Sequence, residues 1–316
     1  MKTDGAATAE LKSSANRPGW MKELNKHKYI YIMLIPVVFY YIIFHYFPMY
    51  GIIIAFKDFS PIRGILGSEW AGLAHFEQFF NSYYFWRLLR NTVLISFYDL
   101  LFGFPAPIIL ALILNEVRRQ KFKRIVQTIS YLPHFISLVV ICGLVLDFVS
   151  REGLINQLIM AFGGDPITFM QQPGWFRTIF VSSNVWQSIG WGSIIYLAAL
   201  ASISPELYEA ARVDGANRWH QLWHITLPGL MPTIMIMLIL RVGDMMSVGY
   251  EKVILLYNAS IYETADVISS FIYRKGLLEM DFSYSTAIGL FNAVINFALL
   301  ISVNRMARRM SGSSLW

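Results

Sequence analysis

The chain has 316 residues, of which 56% are apolar and only 15% charged, against about 45–50% and about 25% in soluble globular domains. That balance excludes the two-domain soluble protein that length alone suggests, and apolar runs recurring along the whole chain indicate a polytopic membrane protein. The formal charge of +6 is explained by loop charge set during insertion, which discounts a nucleic-acid partner, and Cys142, the single cysteine, rules out a disulfide framework within the chain.

The first 28 or so residues are polar and carry Lys2, Lys12, Arg17, Lys22, Lys26 and Lys28. They imitate the basic region of a signal peptide. The apolar run from Tyr29 to about Phe47 shows no obvious small-residue cleavage site, so an uncleaved first helix is expected. Spanning helices need about 20 apolar residues, and six are predicted, at about 29–48, 91–114, 127–148, 177–200, 230–249 and 284–303. Gly103, Pro105 and Pro107 predict a kink in the second, because each proline removes a ladder donor. The fourth holds Asn184, Gln187, Ser188, Gly190 and Gly192, small and polar groups suited to close helix packing or a wet cavity.

Lys and Arg concentrate in alternate loops. The amino-terminal segment, then Arg118, Arg119, Lys121, Lys123 and Arg124, then Arg212 and Arg218, then Arg305, Arg308 and Arg309 outnumber the cations of the opposite loops. Those are Lys57, Arg63, Arg87, Arg90, Arg151, Arg177, Lys252, Arg274 and Lys275, leaving Arg241 inside a span. The bias places both termini in the cytoplasm. The expected layout is a cytoplasmic segment 1–28, a membrane domain 29–303 and a cytoplasmic tail 304–316. The basic loop 118–124 would also attract anionic membrane lipid.

The loop 203–228 is not an ordinary connector. Ser204 and Pro205 read as N-cap and first helical residue. Leu207, Ala210 and Ala211 then share a face, Gly215 can end the helix, and a second short helix carries Trp219, Leu222 and Trp223 before Pro228 opens the next span. A helix, a bend and another helix, with small residues exposed, suit insertion into a groove on a partner.

The spacing in this loop is Glu209-Ala210-Ala211, three residues that include Asp214, Gly215, nine residues, Ile225, one residue, then Leu227-Pro228. It resembles the signature of permease subunits of ATP-binding-cassette importers at every position. Trp70-Ala71-Gly72-Leu73 with Phe76, Phe85-Trp86-Arg87 with Asn91-Thr92, Tyr131-Leu132-Pro133-His134, Gly153-Leu154-Ile155-Asn156 and Leu200-Ala201-Ser202-Ile203 extend the likeness to the sugar and oligosaccharide importers. Tyr50-Gly51 and Phe56-Lys57-Asp58 resemble the subgroup that takes polysaccharide fragments. Leu222 departs from the family, which often has Phe there.

The resemblance implies an all-α integral membrane fold of about six helices, the type I importer permease, with a cytoplasmic coupling helix. It further implies import by alternating access in a bacterial inner membrane, a second homologous permease chain, a dimer of cytoplasmic ATPases that bind ATP and magnesium, and an extracytoplasmic solute-binding protein. Glu209 would anchor at the ATPase groove, Ala210 and Ala211 would allow close approach, and Gly215 would make the turn. This chain contains no phosphate-binding glycine-rich loop, so it is expected to hold no cofactor or catalytic residue.

Arg241, expected near mid-span, would cost roughly 2.5–3.5 kcal/mol if unpaired. Asp244, three residues on, is near enough for an intrahelical pair. The pair is either structural, or it lines a sugar path with Asn184, Gln187 and Trp191, the indole stacking on the sugar and the amides bonding its hydroxyls. Asp99 in the second span is ambiguous in the same way. Two other functions stay open: an intramembrane metalloprotease, since His220 and His224 share a helix face, and a passive channel or scaffold. Against the first, Gln221 stands where the hydrolytic motif needs a glutamate base.

Overall fold

In a computed structural model, residues 26–311 are described. The chain divides into two units, one reaching Ile53 and one beginning at Ile54. In the first unit a helix over Lys28–Tyr41 passes into a π-turn at Ile42–Tyr46, just ahead of Pro48. The second unit opens on two short antiparallel strands, Lys57–Asp58 against Glu69–Trp70. Its turn is tied by Lys57, whose Nζ donates to the carbonyls of Ile65 at 2.8 Å and Ser68 at 3.2 Å.

Among the described residues four helices are long and apolar enough to cross a bilayer: Lys28–Phe56, Tyr84–Glu116, Arg218–Gly243 and Phe282–Arg309. With each of two bent pairs counted as one span the number is up to six. Gln120–Phe135 meets Leu138–Phe148 at 105°, and Pro173–Ala201 meets Pro205–Val213 at 67°. The third span is therefore broken where a continuous helix over 127–148 was expected. Pro133 sits in a tight turn, Ile136 is extended, and Ser137 begins a new helix by accepting the Val140 amide at 3.4 Å. The last helix runs on to Ser311, past the expected limit at 303. The segment 1–28 lies outside the described residues up to 25, as do 312–316 of the tail.

Some prolines in these spans follow a pattern, while Pro36 and Pro232 stand inside continuous helix. A π-turn at Asp99–Gly103 precedes Pro105, and another at Leu222–Thr226 precedes Pro228. In each, an amide reaches back five residues instead of four, which accommodates a proline that has no amide to offer. As a result Pro228 does not open the fifth span; helix continues unbroken from Arg218 to Gly243.

Helices come closest where side chains vanish. A Cβ on Gly190 would stand 2.0 Å from the Ser130 carbonyl oxygen, so the fourth span rests directly on the backbone of the third. The main core gathers Ile95, Cys142, Val145, Phe176, Phe180, Val253 and Leu256 from the second, third and fourth spans and the helix Tyr250–Leu256. Between membrane spans such side chains are held by close packing and not by exclusion of water, since lipid tails are as apolar as they are. A fully buried carboxylate, Asp266, is satisfied by Arg274 Nη2 at 2.7 Å and Ser270 Oγ at 2.9 Å, with Arg87 at 3.6 Å.

Candidate functional site

Two regions carry the residues singled out in sequence. The first is the helix Pro205–Val213, none of whose residues is buried. Ser204 Oγ accepts the Glu206 amide at 3.3 Å, giving one orphan donor a partner. At the other end the Ala216 amide reaches the Ala211 carbonyl at 2.8 Å and the Gly215 amide reaches Arg212 at 3.2 Å. That closing turn needs φ +80° at Gly215, the left-handed region. Asn217 then caps the next helix by accepting the His220 amide at 2.9 Å, and Gln221 Nε2 donates to the Ala216 carbonyl at 2.9 Å.

One side-chain bond fastens this element to the fifth span, between Tyr208 Oη and Thr226 Oγ1 at 3.0 Å. Glu209, Ala210, Asp214 and Gly215 are exposed, Ala211, Ile225 and Leu227 are half-buried, and Pro228 is exposed. Beside them Leu207, Val213, Trp219 and Trp223 expose large apolar surfaces. The two histidines of the metalloprotease reading are occupied locally: His220 Nδ1 lies 3.0 Å from Asn217 Oδ1 and His224 Nδ1 3.0 Å from the His220 carbonyl.

The second region is a cavity of about 360 Å³ between the second, fourth and fifth spans and the segment 244–252. It is lined by Asp99, Asn184, Gln187, Arg241, Asp244 and Lys252, among others. Volumes of roughly 300–1,000 Å³ are usual for small-ligand sites. Asn184 and Gln187 point the same way because three residues are nearly one helical turn. The π-turn begins at Asp99 and lets Gly103 pass within 3.2 Å of the Asp99 carboxylate, measured from where a Cβ would lie.

Arg241 does not pair with Asp244. The fifth helix ends at Gly243, which puts Arg241 in its last turn rather than at mid-span. Asp244 is then the capping residue, with non-helical backbone, and the spacing of three no longer brings the two together. Arg241 Nη2 instead pairs with Asp99 Oδ2 across the cavity. Asp99 Oδ1 accepts Asn184 Nδ2 at 3.3 Å, and Asn184 Oδ1 accepts Lys252 Nζ at 2.6 Å. A single polar chain thus links Arg241, Asp99, Asn184 and Lys252.

Trp191 is not among the lining residues. It stacks on His134, ring centroids 4.6 Å apart and planes within 3°, beside the break in the third span. Lys252, counted in sequence as a loop cation, is only 4% exposed. Burial pushes its ammonium down to about 8, opposed by Cys142 and Asp99. The signal for it was weak: a lone lysine three residues beyond Gly249, at the head of an apolar run over 253–256 too short to read as a span.

Apolar spans, a polar cavity among them and an exposed helix, turn and helix between two spans are the features of a membrane transport subunit. Residues 103–312 match the family described as binding-protein-dependent transport system inner membrane component, and the chain belongs to that family. It is 43% identical over 312 residues to the polygalacturonan/rhamnogalacturonan transport system permease protein YteP of Bacillus subtilis (strain 168), covering 98% of this chain and 97% of that one. Two solved structures share its fold at a TM-score of 0.86, covering 93% of this chain and 99% of theirs. One, 45% identical, is a bacterial ABC transporter involved in the import of the acidic polysaccharide alginate. The other, 44% identical, is a bacterial alginate ABC transporter in complex with an alginate pentasaccharide-bound periplasmic protein. The chain is an ABC importer permease, a transport subunit rather than an enzyme, and the metalloprotease and channel readings fall away.

Proposed function

We propose that this permease passes an oligosaccharide through the cavity of Asp99, Asn184, Gln187 and Arg241, and that the helix Pro205–Val213 with its turn couples passage to a separate ATPase. The observation that carries the reading is the cavity itself: polar side chains from three different spans converge on one space. Amides and ionic groups facing the same volume suit a polyhydroxylated solute, since each offers a donor or acceptor to a hydroxyl. Arg241 and Asp244 both face that space, and Trp191, 45% exposed one turn beyond Gln187, extends the surface along the fourth span.

In the coupling element Glu209 and Asp214 supply exposed charge, Ala210 and Ala211 a surface without bulk, and Gly215 the turn. Ile225, Leu227 and Pro228 join it to the fifth span. ATP and magnesium belong to the partner ATPase dimer. A second homologous permease completes the pathway, and an extracytoplasmic binding protein delivers the sugar, in keeping with the alginate complex. The membrane domain spans 29–303, and both termini lie in the cytoplasm on the charge bias of the loops.

The energetic logic is a population shift: receptor and sugar favour one arrangement, nucleotide another, and the coupling helix transmits the difference. Reconstitution with companion permease, ATPase and binding protein tests the whole. Uptake of labelled oligosaccharide that needs both ATP and receptor is expected. Flux without either would overturn the reading.

A further inference from the structure

We propose that Lys252 selects oligosaccharides that carry a carboxylate, by forming an ion pair with a uronate residue inside the cavity. This rests on the oligosaccharide reading above and deepens it. A lysine is almost never buried without an anionic partner. Yet Lys252 forms no ion pair among the described residues; its Nζ meets the neutral oxygen of Asn184 at 2.6 Å and the ring of Phe180 at 5.4 Å. The other cation of the cavity, Arg241, is already matched by Asp99.

Asn184 holds the ammonium in place. Its amide nitrogen faces Asp99 and its oxygen faces Lys252, so the orientation of both ends is set by the chain of bonds. What remains is a positioned positive charge with unused donors, because an ammonium has three and the asparagine takes one. Asp244 and Glu251 also face the cavity, but both are exposed, whereas Lys252 is buried. Exposed carboxylates act through water and are screened by salt, while a contact pair in a buried setting is not. The deep cation therefore decides against the outer anions once a sugar is seated. With its ammonium pushed down only to about 8, Lys252 still carries its charge at neutral pH.

The test uses the complete transporter in proteoliposomes, wild type beside Lys252→Met and Lys252→Arg. The probes are oligogalacturonates and oligomannuronates, with their carboxyl-reduced neutral counterparts, each presented at concentrations that saturate the binding protein. Wild type is expected to favour the acidic forms. Lys252→Met should lower the ratio of acidic to neutral uptake roughly tenfold or more, the usual worth of a charged hydrogen bond, and Lys252→Arg should restore most of it. A ratio unmoved by Lys252→Met, or a wild type that takes neutral and acidic forms alike, overturns the proposal and leaves the sugar importer standing. No ATP-dependent uptake of either kind by wild type would remove both.

Discussion

Gly215 offers a way to separate backbone strain from surface contact in the element proposed to couple. Its φ of +80° is unfavourable for any residue with a Cβ, yet a Cβ built there meets no atom within 4 Å. Substitution is thus sterically free within this chain, and its cost is conformational, about 1–2 kcal/mol for alanine. That is a shift of about five- to thirty-fold against the turn. The turn carries the Ala216 amide bond to Ala211 at 2.8 Å and positions the Ala216 carbonyl that receives Gln221, so its loss loosens the junction to the next helix. Asparagine tolerates left-handed backbone and should keep the turn while adding bulk; alanine adds strain with little bulk; tryptophan adds both. Uptake and ATP hydrolysis would be measured together in reconstituted transporter, with membrane abundance of each variant as control. Coupled uptake should fall in the order Gly215→Asn, Gly215→Ala, Gly215→Trp, with hydrolysis persisting and abundance unchanged. Normal uptake by Gly215→Trp at unchanged abundance would refute the coupling role, and Gly215→Ala matching Gly215→Asn would refute the argument from strain.

Three further outcomes follow from the same structure. Gly190→Ala must lift the fourth span from 2.0 Å to an ordinary 3.4 Å above the Ser130 carbonyl, a displacement of about 1.4 Å; with overpacking costs of about 1–3 kcal/mol, the purified complex should melt earlier, and an unchanged melting temperature would contradict the contact. Arg241→Gln and Asp99→Asn, singly and together, should show a coupling of about 0.5–3 kcal/mol in thermal stability, whereas strict additivity would dissolve the pair. For Lys252, whose positive form exists below its pKa, the preference for acidic sugar should be present at neutral pH and fade as pH rises through about 8. Asp99, Asp244 and Glu251 favour the charged form, Arg241 opposes it, and Cys142 lies close by. The fade should be absent in Lys252→Arg, and an identical pH profile there would assign the titration elsewhere.

The helix Pro205–Val213 and its turn were legible because every one of their signals is local: a serine cap, a proline in the first turn, and a glycine where the backbone must turn left-handed. The spans were legible from apolar length, and Gly190 from the packing value of small residues. Less legible were features decided between segments. The 105° break in the third span follows from Pro133 and the Ser137 cap acting inside an otherwise apolar run, where hydropathy sees no interruption. Arg241 was paired with the wrong aspartate because a spacing of three implies contact only while the helix continues, and this helix stops at Gly243. Lys252 was taken for a loop cation because nothing in its neighbours shows that the helix Tyr250–Leu256 packs against the third span and buries it.

The π-turn at Leu222–Thr226 is an α-helix holding one residue more than its pitch requires. Since each residue turns a helix by about 100°, the span from Arg218 to Gly243 is an indexed shaft whose two ends are set independently. Deleting a single residue within 222–226 would return the shaft to regular pitch. Trp219 and the turn at Gly215 would then swing by about 100° around the axis, while Arg241 stayed against Asp99.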